Sequence, residues 1–214
     1  MNLSDHHLAF LHDPMVRELA ARGQLRSFPK NAVIINEGDR GESLFVILSG
    51  RVKVYVSDDD GREMILDHHG PGDYVGEMSL DGKPRSASVM TLEPTSCSVI
   101  TREDLRAAIA DNPDIAMGLI STLIERARIA TDNVKNLALM DVYGRVARLL
   151  LQIAKDDGQG KLVVPERMTQ QDIADRVGAS RDMISRIFKD LTIGGYVTVD
   201  NRIITIHRKP PARW

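Results

Sequence analysis

Residues 72–89, GDYVGEMSLDGKPRSASV, place a Gly-Glu pair and an Arg-Ser-Ala triplet in one short stretch. Those groups can hold a phosphorylated sugar. Arg85 supplies a fixed cation for a phosphate, and backbone N–H groups near Ser86 and Ala87 can join it. Glu77 can accept from a ribose hydroxyl, and Gly76 lets the backbone approach a ligand closely. The competing reading is a surface Glu–Arg ion pair, which contributes little.

A second cluster lies between Thr169 and Leu191. Ser180, Arg181, Asp182, Ser185, Arg186 and Lys189 share one helical face, and their types suit a DNA major groove. Arg181 and Arg186 can donate bidentate bonds to guanine, Asp182 can accept from cytosine, and Ser180 and Lys189 suit phosphates. Here the competing reading is a surface helix whose arginines pair with neighbouring acids. Its place after a tight turn and before a β-hairpin favours DNA.

Other chemistries find no support. Cys97 is the single cysteine, so an internal disulfide, a Cys-based zinc site and a cysteine-ligated iron–sulfur cluster are excluded. No nucleophile elbow, HExxH or GxxxxGK[ST] occurs, and an enzyme is not expected. Asp58, Asp59 and Asp60 lack the length and later glutamate of a calcium loop and read as a solvated acidic turn. His68 and His69 flank the Gly70-Pro71-Gly72 turn rather than serving as haem ligands.

The elements that would position these groups follow from pattern. Residues 3–23 predict short helices ending at Gly23. From Leu25 to about Ile100 the texture is β: AVIIN, SLFVILSG, RVKVYV, EMILDHH, SASVMTL and SCSVI, separated by glycines. Such strands predict a sandwich or barrel-like roll. SDDDGRE at 57–63 predicts a hairpin with Asp60-Gly61 at positive φ. Thr101 caps a helix that Asn112-Pro113 ends. Ala116, Ile120, Leu123, Ala127, Ala130, Val134 and Leu137 then repeat at 4, 3, 4, 3, 4, 3, a heptad seam on a long helix. That seam suits either a second copy or the helix's own domain. A further helix runs from Asp141 to Lys155, and Asp156-Asp157-Gly-Gln-Gly160 stops it. The short strand KLVVP follows, then two helices, the first capped by Thr169 and Asp172 and the second by Ser180, with Gly178 between them. YVTVDNRIITIH predicts a two-stranded wing turned at Asp200-Asn201, completing a winged helix-turn-helix. The fold class is α+β.

Composition agrees with two modules. The 214 residues are 43% apolar and 27% charged, with a net charge of −2. No apolar run is long enough to span a bilayer, and the first residues lack a signal-peptide pattern, so a soluble, cytoplasmic protein is expected. The charge is asymmetric. Residues 1–140 carry 15 basic and 21 acidic side chains (−6), and 141–214 carry 13 and 9 (+4).

The order β-roll, GE…RSA cassette, long helix and winged helix-turn-helix resembles the Crp–Fnr transcription regulators over nearly the whole chain. NLALMDVYGRVARLLLQIAK and GASRDMISRIFKDL are similar to its cyclic-AMP-receptor branch. The N-terminal cysteines of the oxygen-sensing branch are absent. The resemblance implies an N-terminal double-stranded β-helix (jelly roll) effector domain over 1–110, a dimerisation helix over 111–140 and a DNA-binding domain over 141–214. It implies a homodimer on palindromic double-stranded DNA, contact with RNA polymerase, no cofactor, and an allosteric cyclic nucleotide. Cyclic AMP leads; cyclic di-GMP, no small ligand, or a regulatory module acting on protein partners are the alternatives. By resemblance Gly76 and Glu77 hold the ribose, Arg85 and Ser86 the phosphate, Met78 and Ala87 flank them, and Thr131 meets the base. Thr169 and Gln170 join Ser180, Arg181, Asp182, Ser185, Arg186 and Lys189 at DNA. Four departures stand out. Ala130 replaces a hydroxyl residue beside the base, and the Glu77–Arg85 linker is about one residue short, which is expected to move Arg85. Asp182 replaces a glutamate, and the loop DDGQG is short where the branch presents a surface to RNA polymerase.

Overall fold

Between Gln24 and Ile100 the alternating apolar runs become eight strands, and both faces of one sheet are covered. A computed structural model describes residues 8–158 and 161–211. Residues 3–7 of the expected N-terminal helices, and Gln159 and Gly160 of the expected stop, lie outside the described residues. The chain divides into two compact units, residues 1–126 and 127–214.

In the first unit, helix α1 (Pro14–Ala21) precedes strands β1 (Gln24–Phe28), β2 (Val33–Ile35), β3 (Leu44–Ser49), β4 (Val52–Ser57), β5 (Glu63–His69), β6 (Tyr74–Val75), β7 (Ser88–Thr91) and β8 (Thr95–Ile100). They pair antiparallel in two four-stranded sheets, ordered β1-β8-β3-β6 and β2-β7-β4-β5. Helix α2 (Arg102–Asp111) follows, and then the long α3 (Asp114–Leu139), whose residues from Ala127 onward belong to the second unit.

Strand β3 shows why the run LFVIL is continuous rather than alternating. Phe45 and Ile47 pack with Val52, Val89, Cys97 and Val99 between the sheets. Leu44, Val46 and Leu48 pack on the other side with Val16 and Leu19 of α1, Leu105 of α2, and Ile115 and Leu119 of α3. Two covered faces need apolar residues at every position. Cys97 is fully enclosed there, and burial pushes its thiol up to about 12, which keeps it protonated and inert.

Two strands of this unit leave no pattern in the sequence. Strand β1, QLRSF, buries Leu25 alone, and β6 is two residues long. The 57–63 hairpin forms, but only Gly61 has positive φ (75°); Asp60 does not. The turn closes instead around Asp58. Its carbonyl accepts from Gly61 N–H (2.9 Å), and its carboxylate accepts from the N–H groups of Asp60 (3.1 Å) and Arg62 (2.9 Å). The threonine cap at 101 forms a full capping box with Asp104.

The second unit holds α4 (Val142–Ile153), β9 (Lys155–Asp156), β10 (Leu162–Val164), α5 (Gln170–Val177), α6 (Arg181–Ile193), β11 (Val197–Asp200) and β12 (Ile203–Ile206). Its core joins Val146 and Leu150 of α4 to Ile173, Ala174, Ile184, Leu191 and Ile204. Helix α4 stops at Ile153 rather than Lys155, because Lys155 pairs with Val163 as a strand. The wing belongs to a four-stranded sheet, β11-β12-β10-β9, rather than a two-stranded one. Its turn centres on Asn201 (φ 48°) and Arg202 (φ 65°), one residue later than expected, since Asp200 pairs with Ile203.

Beyond Leu119 the seam of α3 is uncovered among the described residues. Ile120, Leu123, Ala127, Ala130, Val134 and Leu137 are all exposed. Packing on its own domain therefore does not account for that stripe.

Candidate functional site

The Gly-Glu pair and the Arg-Ser-Ala triplet meet at one corner of the roll. Strand β6 delivers Gly76 at φ 91°, and a single 3-10 turn, Glu77–Asp81, begins the return to Arg85. The short linker still brings Arg85 back to its start: Arg85 Nη1 donates to the Gly76 carbonyl at 2.7 Å. Nη2 donates to the Ser43 carbonyl at 2.9 Å. The Arg85 backbone is pinned as well, its N–H donating to Asp39 O and its carbonyl accepting from Gly38 N–H, each at 2.9 Å.

Arg85 is 8% exposed, and burial draws its pKa below the ordinary value while the Glu77 charge acts in the opposite direction. An arginine has five N–H donors in a fixed fork. Two are committed to carbonyls, leaving three on a cation with no carboxylate bonded to it among the described residues. Such a group is preorganised for a phosphate.

Glu77 does not pair with Arg85. Its carboxylate sits 2.7 Å from Arg126 Nη1, and the Glu77 side chain is 8% exposed. Arg126, on α3, also donates to the Tyr74 carbonyl (2.6 Å) and lies over the Tyr74 ring at 5.1 Å. The surface Glu–Arg pair weighed from the sequence thus takes another form: a largely buried pair with a residue 49 positions away. Arg126 was missed, and no local spacing signalled it.

The remaining cassette residues are wetter. Met78 and Ser86 are exposed and Ala87 is half-buried. The Ser86 hydroxyl donates to Met78 Sδ at 3.3 Å, a weak bond that it can exchange for a better acceptor. Thr131 belongs to the second unit, where it is exposed on α3 with its hydroxyl bonded back to the Ala127 carbonyl (2.9 Å).

The close fit at Gly76 makes a prediction. A Cβ there would stand 2.6 Å from Arg85 Nη1 and 2.8 Å from the Ser43 carbonyl, on a backbone at positive φ. Gly76→Ala should destabilise the roll by about 1–3 kcal/mol and displace the Arg85 guanidinium. Thermal melting and nucleotide calorimetry on the same sample would check both effects; an unchanged melt together with unchanged binding refutes it.

The second cluster is assembled by α5 and α6. Thr169 caps α5 in a box with Asp172, Gly178 closes it in the left-handed conformation (φ 65°), and Ala174 is fully buried where the helices cross. Arg145 of α4 clamps the turn. Its Nε and Nη2 donate to the carbonyls of Val177 (2.8 Å) and Gly178 (3.3 Å), while Nη1 reaches the Met140 carbonyl (2.9 Å). Neither this clamp nor Arg202 at the exposed wing tip was anticipated from the sequence.

Ser180 caps α6 by accepting from Met183 N–H at 3.2 Å. Arg181, Asp182, Ser185, Arg186 and Lys189 are exposed, and Ile184, Ile187, Phe188 and Leu191 are buried opposite. At about 100° per residue the polar five span about 140° of arc, a face narrow enough to enter a major groove. Arg181, Arg186 and Lys189 make no ion pair or hydrogen bond among the described residues. The alternative in which these arginines pair with neighbouring acids therefore fails. Thr169 and Gln170 are half-buried at the start of α5, and the Thr169 hydroxyl is shared with Asp172 (2.7 Å).

Among the described residues no three His, Cys, Asp or Glu groups could hold a metal ion, and no helix is long and apolar enough to cross a membrane.

Comparisons with known proteins match both units. Residues 25–112 match the cyclic nucleotide-binding domain, and residues 144–210 the Crp-like helix-turn-helix domain. The chain is 37% identical over 183 residues to a CRP-like cAMP-activated global transcriptional regulator of Mycobacterium tuberculosis, covering 84% of this chain and 82% of that protein. It is 32% identical over 201 residues to the cAMP-activated global transcriptional regulator CRP of Salmonella typhimurium, covering 91% and 95%. Among solved structures, the c-di-GMP-responsive global regulator CLP of Xanthomonas campestris superposes with a TM-score of 0.79 at 26% identity, covering 91% of this chain and 98% of that one. One match falls on the roll that carries Arg85 and the other on the helix-turn-helix that carries the basic face of α6; the chain belongs to the CRP family of DNA-binding transcription regulators, with a cyclic nucleotide-binding domain ahead of its DNA-binding domain.

Proposed function

We propose that this regulator is a homodimer whose affinity for a palindromic DNA site is set by a cyclic nucleotide, cyclic AMP foremost. One observation carries the choice of ligand. Among the described residues the Arg85 guanidinium is held by two carbonyls alone, whereas Arg126 is already bonded to Glu77. The corner thus offers one readily available phosphate partner, which fits a mononucleotide with a single cyclic phosphate. Cyclic di-GMP carries two phosphates and would need a second cation. The name of the Mycobacterium relative, a cAMP-activated regulator, supports the same choice.

In this reading Gly76 and Glu77 receive the ribose and Arg85 and Ser86 the phosphate, Met78 and Ala87 flank them, and Thr131 meets the base. The exposed seam of α3 receives the same seam of a second copy. Arg181, Asp182 and Arg186 read base edges, while Thr169, Gln170, Ser180, Ser185 and Lys189 lie along the phosphates and groove wall. A ligand that contacts one arrangement of the long helices better than another shifts the population toward it. RNA polymerase is the expected protein partner.

Cyclic di-GMP is the second reading, favoured by the Xanthomonas structure and by Ala130, which removes a hydroxyl from beside the proposed base position. Calorimetry with both nucleotides, together with fluorescence anisotropy on a palindromic duplex, separates the two. Heat with cyclic AMP and a nucleotide-dependent rise in anisotropy are expected. Binding of cyclic di-GMP alone overturns the ligand, and an unchanged anisotropy curve overturns the switch.

A further inference from the structure

We infer that Met183 reads the C5-methyl group of a thymine in each half-site, as a specificity-determining contact beside Arg181 and Arg186. Met183 is the third residue of α6, and its N–H is held by the Ser180 cap at 3.2 Å. The apolar residues that follow it as far as Leu191 are enclosed: Ile184, Ile187, Phe188 and Leu191 are between 0% and 7% exposed. Met183 is 41% exposed. It is therefore a large apolar side chain left outside the core at the end of α6 that carries Arg181 and Asp182.

Helix geometry says what lies beside it. At about 100° per residue Met183 stands about 60° from Arg186, one turn along, at the edge of the polar face. The first turns of a recognition helix are those that reach base edges in the major groove. There the thymine methyl is the one apolar feature that distinguishes a base pair. A thioether on three rotatable bonds can adapt to it, and does so without competing for the donors and acceptors used by Arg181, Asp182 and Arg186. Ile193 is more exposed, at 75%, but lies ten residues further on, about 15 Å along the helix axis, away from that end. Ordinary surface exposure would leave Met183 without any preference for base identity, and that difference is measurable.

The inference rests on α6 being the DNA-reading helix and on the two-fold site proposed above. The test begins with selection of binding sites by the full-length wild-type protein from a random duplex pool, with cyclic AMP present. Each thymine of the selected site is then replaced by uracil, symmetrically in both half-sites, which deletes only the methyl group. Affinities for wild type and Met183→Ala are compared by fluorescence anisotropy. At one symmetric thymine, uracil should weaken wild-type binding about fourfold per half-site, or about fifteenfold for both, from the worth of one buried methyl. Met183→Ala should show no such loss at that position while keeping the salt dependence of wild type, since no charge has changed. Equal uracil profiles for the two proteins overturn the role of Met183 with DNA reading intact. Failure of the wild type to select any sequence overturns the underlying reading itself. Circular dichroism of the exposed-site alanine variant confirms that both comparisons use a folded protein.

Discussion

Arg85→Lys should lower cyclic AMP affinity by at least about 100-fold. The charge is kept, so a loss of this size would separate geometry from simple electrostatics. In the native corner one planar fork satisfies the Gly76 carbonyl at 2.7 Å and the Ser43 carbonyl at 2.9 Å and still has three donors to offer. A lysine ammonium is a single compact point on a flexible stem and cannot span two fixed carbonyls and a phosphate at once. Losing two hydrogen bonds to a charged partner at about 1.5–3 kcal/mol each amounts to about 3–6 kcal/mol, or about 10²- to 10⁴-fold. The protein itself should also melt earlier, because a part-buried carbonyl left without a donor costs about 1–3 kcal/mol. Calorimetry measures the first effect, and a thermal melt without nucleotide measures the second. Affinity within about threefold of wild type would mean that the phosphate binds elsewhere, whatever the melt shows.

The ease with which each part could be read from sequence follows from the range of the interaction involved. Caps are local: Thr101 with Asp104 and Thr169 with Asp172 were visible at a three-residue spacing and form as full boxes. The two faces of α6 are set by helical period alone, and the buried and exposed residues separate as expected. Strand β1 was hidden because an edge strand with one buried residue carries no alternation. The local pattern extends the helix to Lys155 because nothing nearby shows that Val163 is waiting to pair with it. The ligand corner divides in the same way. Gly76, Glu77 and Arg85 lie within ten residues and could be grouped on sight. Arg126 joins them across 49 positions of chain, and Arg145 reaches Val177 across 32. Such long-range arginine contacts depend on how the helices dock and leave no periodic trace. The Asp60-Gly61 turn failed for a different reason: Asp58 organises the hairpin through its side chain, so a second residue at positive φ is not needed.

Arg186→Ala and Lys189→Ala should damage DNA binding in different ways, although the residues are neighbours on one helix face. Both are exposed and make no ion pair among the described residues, so neither truncation leaves a protein partner behind. Folding stability should accordingly move by less than about 0.5 kcal/mol. A bidentate arginine–guanine contact contributes about 1–3 kcal/mol of discrimination, and a two-fold complex contains it twice. Arg186→Ala should thus cost about 30- to 10⁴-fold on the selected site but far less on unrelated duplex. Lys189 would neutralise a phosphate, which carries no sequence information. Lys189→Ala should weaken both duplexes alike and reduce the slope of log affinity against log salt by about 2 for the dimer, close to 0.9 for each lost contact. Anisotropy titrations at several salt concentrations on both duplexes resolve the two patterns. Equal losses on both duplexes for Arg186→Ala would demote it to a phosphate contact; no loss for either variant would remove this face from DNA. The overall charge of −2 predicts none of this, because it sums a front segment at −6 and a reader at +4. What attracts a polyanion is the local field of cations free of internal partners, and on α6 those cations, among the described residues, are Arg181, Arg186 and Lys189.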